Sequence, residues 1–121
     1  MKKSQTGKIG EKLACEFLGH NGYHIVETNY RCPQGEIDIV ARQADTLVFI
    51  EVRTKTSREY GGPEESITPV KAARLRNLAA FYGQSHQGLP ESRRVDVVAI
   101  QMNKNGQASR IEIIENAVGE S

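Results

Sequence analysis

The sequence predicts a single α/β domain in which two helices flank a mixed sheet, in the order αβββαββ. Three observations carry this. Apolar residues recur at helical spacing near the start of the chain, two strand-like runs adjoin across a short polar break, and a second helical segment separates the third strand from the fourth. A helical crossover between strands fits parallel pairing inside a mixed sheet.

From Thr6 to about His20, Ile9, Leu13, Ala14, Phe17 and Leu18 mark the apolar stripe of a first helix, stopped by Asn21-Gly22. YHIVETNYR then alternates as a strand and ends in Cys32-Pro33-Gln34-Gly35. The stretch GEIDIVARQADTLVFIEVRTK, Gly35 to Lys55, reads as a hairpin around Gln43-Ala44-Asp45-Thr46, a turn without the strong Asn-Gly or Asp-Gly signal. The polar segment SREYGGPEES contains Gly-Gly-Pro and marks a loop. Thr68 is then an N-cap with Pro69 at the first helical position. The helix that follows is apolar at Val70, Leu75, Leu78, Ala79 and Tyr82 and is expected to end near Gly83. A loop through Gly88-Leu89-Pro90 leads to the strand RRVDVVAIQM, and Asn105-Gly106 turns into a last short strand, RIEII. The ends, about residues 1–5 and the tail NAVGES, are expected to fray.

At 121 residues and 13.4 kDa the chain has room for one ordinary core. Its 38% hydrophobic and 26% charged content fits a soluble globular protein and excludes a disordered one. The net charge of +1 decides nothing about nucleic acid, because a basic patch can sit inside a neutral total. Cys15 and Cys32 form no CxxC pair and have no histidine at metal spacing, so neither a disulfide framework nor a zinc site is expected. No apolar segment follows the lysines of MKKSQTGKIGEK, and no apolar run reaches the roughly 18 residues of a membrane span. A soluble, cytoplasmic protein without a membrane partner is the expectation.

The hairpin carries acids in its most sheet-like part. With the turn centred between Ala44 and Asp45, Asp38 opposes Glu51 and Glu36 opposes Arg53, all four on one surface. Ile37, Ile39 and Ala41 then share the other surface with Val48, Ile50 and Val52. Closer to the turn, Val40 opposite Phe49 makes the acidic surface apolar, so the polar cluster is confined to one end. Opposed carboxylates lie about 4.5–5.5 Å apart at Cβ and repel. A shared proton, a nearby cation or a bound metal must offset that. Two acids beside a solvated opening suit a hard cation such as Mg²⁺, which takes oxygen ligands and keeps several waters. A metal held there would polarise a phosphate oxygen and make an attacking water more acidic. The alternative is that Glu36–Arg53 and Glu51–Lys55 are solvated surface pairs.

These residues resemble something known. G-E-I-D-I-V…L-V-F-I-E-V-R-T-K resembles the Asp…Glu-x-Lys motif of the PD-(D/E)XK superfamily, the restriction-endonuclease-like nucleases that include the archaeal Holliday junction resolvases. The whole chain is similar to the small YraN-type family of uncharacterised bacterial proteins, from Gly7, Gly10, Glu11 and Ala14 through the hairpin to R-V-D-V-V-A-I. The resemblance covers roughly Thr6 to Ile100 and implies a restriction-endonuclease-like αβββαβ core; activity has to be argued from the site. Carried over by position, it implies that Asp38 and Glu51 hold Mg²⁺ or Mn²⁺, with the Val52 carbonyl as a further oxygen. It matches Glu11 to an acid that helps hold the metal in resolvase-like relatives, although Glu11 lies off the apolar stripe and reads equally as a solvated glutamate. Glu36 sits beside the site and is expected to pair with Arg53.

Arg53 departs from the motif, which has lysine there. A guanidinium stays charged and cannot act as a general base, but it can clamp a phosphate or stabilise transition-state charge. Lys55, on the same strand face one pleat further on, is geometrically able to take the lysine's place. Around the site, Arg53, Lys55 and Arg58, then Lys71, Arg74 and Arg76 on the second helix, form a candidate phosphate-binding rim, interrupted by Glu59, Glu64 and Glu65. Tyr60 either stacks on an unpaired base or packs locally, and His20, His24 and His86 read as surface or loop-end residues. Asp96, an acid in a buried strand, is expected to pair with Arg94 or a helix cation.

Three readings follow. The first is a metal-dependent nuclease acting on structured or branched DNA, with Asp38 and Glu51 as metal ligands and Arg53 or Lys55 stabilising charge. A resolvase-like enzyme needs two sites for two strands, which implies a homodimer. The second is a DNA-binding module that keeps the fold without catalysis. The third is a protein-interaction or assembly factor whose acids belong to a salt-bridge network.

Overall fold

A computed structural model describes residues 5–56 and 68–117. Its elements follow the expected order: α1 (Gln5–His20), β1 (His24–Cys32), β2 (Gly35–Gln43), β3 (Thr46–Thr56), α2 (Pro69–Ser85), β4 (Ser92–Met102) and β5 (Ala108–Ile114). One five-stranded sheet has the spatial order β1-β2-β3-β4-β5. β3 and β4 pair in parallel across the α2 crossover, and the other neighbours are antiparallel. The mixed sheet with two helices is compatible with a restriction-endonuclease-like core.

Alternation along β3 sorts the core into two layers. Val48 and Ile50 pack with Ala14 and Leu18 of α1, while Leu47 and Phe49 pack with Leu75, Leu78 and Tyr82 of α2. Successive strand residues point to opposite faces, so the helices cover opposite sides of the sheet. α1 comes close enough to β3 that a side chain at Gly10 would collide with the Thr54 hydroxyl, which accounts for a buried glycine inside the helix. The start of α2 is as expected: Thr68 is extended, its hydroxyl accepts the Lys71 N–H at 3.2 Å, and Pro69 follows.

Four details differ from the sequence reading. α2 does not stop at Gly83 but continues to Ser85, and Gly83 serves close approach instead, because the Arg93 guanidinium occupies the space a side chain would need. Val70 is not part of the apolar stripe; in the first turn it is 69% exposed. Ile37 packs with the α2 layer, whereas Ile39 packs with the α1 layer, although residues two apart on a regular strand share a face. Finally, the tail is held at its start: Asn116 donates its N–H to Asp96 Oδ1 at 2.9 Å, and Ala117 donates to the Val95 carbonyl at 2.8 Å.

Asp96 has the structural role expected of it. It is fully buried, and its carboxylate receives Arg94 Nε at 2.8 Å, Arg94 Nη2 at 3.0 Å and the Tyr23 hydroxyl at 2.8 Å. Arg94 also donates to Gln43. A buried charge is tolerable only when paired and hydrogen-bonded in this way.

Candidate functional site

The β2–β3 ladder pairs Gln43 with Thr46, then each pair in turn back to Ile39 with Ile50. That is the predicted register. Beyond Ile39 and Ile50 the strands part, and Asp38 stands at the opening. Its Oδ2 accepts the Val52 N–H at 2.8 Å, so a side chain takes over from a ladder carbonyl and satisfies a donor that the parting would orphan. On its other side Asp38 faces a gap as well. Thr28 pairs with Ile39 and Tyr30 with Ile37, but the enclosed residues Asn29 and Asp38 do not pair, and Asn29 has a left-handed backbone with φ 55. The change of face between Ile37 and Ile39 falls at this unpaired position, where Asn29 turns left-handed without any shift of register.

The opening is a pocket of about 210 Å³ lined by Glu36, Asp38 and Glu51 from the sheet and by Lys71, Arg74 and Leu75 from α2. Glu51 follows Phe49 by one pleat on the α2 face, which carries it from the core into the pocket wall. Burial pushes the Glu51 carboxyl above its ordinary range, and the Asp38 charge adds to this; Arg53 and Lys71 pull the other way without cancelling it. The nearest cation is Arg53, whose Nη1 lies 3.4 Å from Glu51 Oε1. The side chains are 26% and 20% exposed, so the pair is neither fully solvated nor sealed.

The structure thus brings together Asp38, Glu51, Glu36, Lys71 and Arg74. Arg53 reaches this group through Glu51, and Val52 through its N–H to Asp38. Lys55 shares the strand face of Glu51 and Arg53 but does not line the pocket. The expected Glu36–Arg53 pair is not formed. Glu36 Oε2 lies 3.3 Å from Arg31 Nε on β1, because the tight turn at Cys32–Gly35 places Arg31 directly opposite Glu36 and nearer than β3. Glu11, on α1, accepts from Asn29 Nδ2 at 2.6 Å rather than lining the pocket. Arg76 does not line it either. Arg58, Glu59, Tyr60, Glu64 and Glu65 lie outside the described residues. His86 caps the end of α2, as a loop-end residue, and stacks on Tyr82 with ring centroids 3.9 Å apart.

Sequence reasoning missed Asn29 and Arg31. An asparagine inside a run of strand formers was the available signal for Asn29, since asparagine is depleted in strands and tolerates a left-handed backbone. The Arg31–Glu36 contact follows from a register that the turn sets, and nothing in the two residues themselves announces it.

As a donor set, the pocket offers three carboxylates, of which Asp38 and Glu51 repel across adjacent strands, and no histidine or cysteine. Hard oxygen donors at an open site suit Mg²⁺ or Mn²⁺ completed by water, and do not suit zinc. Among the described residues no three His, Cys, Asp or Glu side chains form a group that could hold a metal, and Glu36 is paired with Arg31, so any such ion would rest on Asp38 and Glu51. No helix among the described residues is long and apolar enough to cross a membrane.

Comparison with known proteins places the chain among relatives of similar size. The model of the uncharacterised protein family UPF0102 matches residues 10–100. A UPF0102 protein of Moorella thermoacetica is 46% identical over 97% of this chain and 98% of its own length. Similar proteins of Dehalococcoides mccartyi (47% identical, over 98% of this chain and 96% of the relative) and Syntrophus aciditrophicus (43%, over 93% and 87%) carry the same family description.

Proposed function

The chain belongs to the uncharacterised protein family UPF0102, and we propose that it is a metal-dependent nuclease that hydrolyses phosphodiester bonds in structured or branched DNA. The observation that carries this reading is the composition of one pocket: Asp38 and Glu51 at its floor, Lys71 and Arg74 on the helix above them. Carboxylates alone would repel a phosphate, and cations alone would only bind one. Acids that accept a divalent metal, next to cations that accept a phosphate, make a site in which a phosphodiester is both held and activated.

In this reading Asp38 and Glu51 hold Mg²⁺ or Mn²⁺, which supplies Lewis-acid polarisation of the phosphate when bound. Val52 keeps the Asp38 carboxylate oriented through its N–H. Lys71 and Arg74 receive the phosphate, Arg74 with the two-pronged geometry that guanidinium offers. Arg53 stabilises negative charge that develops beside Glu51 and cannot take a proton, because it is always charged. The Arg53–Glu51 contact favours one second reading, a DNA-binding module without catalysis: an internal cation bound to the second acid competes with a metal for it.

Cleavage of a panel of DNAs (duplex, single strand, flap and four-way junction) with Mg²⁺ or Mn²⁺ separates the two. Cutting that Asp38→Ala and Glu51→Ala both abolish establishes the nuclease. Binding without cutting, at concentrations that saturate the DNA, establishes the module.

A further inference from the structure

The sheet has two outer edges, and they differ. β1, on one side, is interrupted twice: the register shifts between Ile25 and Glu27, and Asn29 turns left-handed with φ 55. Irregularities of this kind turn an edge away from incoming strands and protect it against unwanted pairing. β5, on the other side, is irregular only at its start, where the register shifts between Gln101 and Met102 of β4. From Arg110 to Ile114 it pairs with Gln101 to Val97 without a break. Among the described residues no strand pairs with its outer edge. α1 packs mainly over β1 and β3, and α2 over β2 and β4, so the main packing of both helices is inboard of β5.

The side chains of β5 say what fits this edge. Arg110 and Glu112 set a cation and an anion one residue to either side of Ile111. A second copy of the strand, antiparallel about a twofold axis through Ile111, places each Arg110 opposite Glu112 of the other copy. Opposite charges directly across a strand pair stabilise it, and like charges weaken it. Moving the axis to Arg110 or to Glu112 would set two arginines or two glutamates against each other, so charge selects one register. Within the chain, Arg110 Nε and Glu112 Oε2 are 3.9 Å apart and both side chains are about half exposed, a loose contact that a directly opposed partner improves. We infer that the outer edge of β5 is an interface between two copies of this chain, joined into one continuous sheet with Ile111 on the axis. Such a contact uses the same strand of both copies and closes at the dimer. The axis is normal to the sheet, so both α1 helices lie on one face and both Asp38–Glu51 pockets open on the other. The inference stands on β5 and does not depend on the metal reading of the pocket.

The test is sedimentation equilibrium of the whole chain in low-salt, metal-free buffer. It compares wild type, Arg110→Glu, Glu112→Arg, the double variant carrying both changes, and an equimolar mixture of the two single variants. One strand pair lies at the small end of protein interfaces, so wild type is expected to dimerise with a dissociation constant on the order of 100 µM. Each single change sets like charges opposite one another at both contacts and should weaken dimerisation at least about tenfold. The double variant restores opposite charges and should regain wild-type association. The mixture should regain it too, because one variant then presents two acids to two cations of the other. A variant that had merely lost its fold would not be rescued in this way. A wild type that stays monomeric up to roughly 1 mM would overturn the inference. So would a dimer that both single changes leave intact, growth beyond the dimer, or a mixture no better associated than its components.

Discussion

Asp38 Oδ2 accepts the backbone N–H of Val52 at 2.8 Å, so the strand that carries the second acid of the site orients the first. The contact is made where the hairpin ladder has ended, one residue past the Ile39–Ile50 pair. It couples the geometry of the site to the stability of the sheet, and this coupling can be measured.

Asp38→Ala leaves the Val52 N–H without its partner in a partly buried position and is expected to cost about 1–3 kcal/mol in urea denaturation. Asp38→Asn keeps an acceptor oxygen and should cost less than half as much. Both should abolish stabilisation by Mn²⁺, because an amide is a poor substitute for a carboxylate as a ligand of hard cations. Equal stability of the two variants would mean that the hydrogen bond contributes nothing.

Glu51 predicts a trade between stability and function. Burial, and then the Asp38 charge, raise its carboxyl above the ordinary range, so the folded chain holds that proton to higher pH than the unfolded chain does. The resulting stabilisation is complete below the unfolded carboxylate range and is lost as pH rises through the raised value. At neutral pH and without metal, Glu51→Gln should therefore melt higher than wild type, and the gap should close as the solution is acidified. Added Mg²⁺ should narrow the gap at neutral pH by stabilising only wild type. Thermal melts across this pH range check the sign directly.

Lys71 and Arg74 should matter to DNA binding more than to folding, since they line the pocket from the helix side and neither is fully buried. Each of Lys71→Ala and Arg74→Ala is expected to lower the slope of log affinity against log salt by about 1 for every phosphate the side chain neutralises. Unchanged slopes in both variants would remove the rim.

Much of this arrangement is legible in the sequence. The hairpin register follows from a turn placed symmetrically between two alternating runs, and it puts Asp38 and Glu51 together. The Thr68-Pro69 start of α2 and the parallel β3–β4 pairing follow from cap chemistry and crossover geometry. The partner of Glu36 is not legible, because it depends on the β1–β2 register, which the Cys32–Gly35 turn sets. The face of Ile37 escapes strict alternation, which cannot anticipate the left-handed residue Asn29 opposite Asp38. Gly83 suggests a helix stop because glycine usually marks one; here it makes room for Arg93 from another strand. In each of these cases the pairing or packing of neighbouring elements overrides a sound local preference.

The most direct test of the central claim, that Asp38 and Glu51 form a divalent-metal site, is a calorimetric titration of Mn²⁺ into wild type and Asp38→Asn at neutral pH. Saturable binding by wild type that Asp38→Asn lacks is the predicted result. Absence of binding by wild type, or equal binding by both, would contradict it.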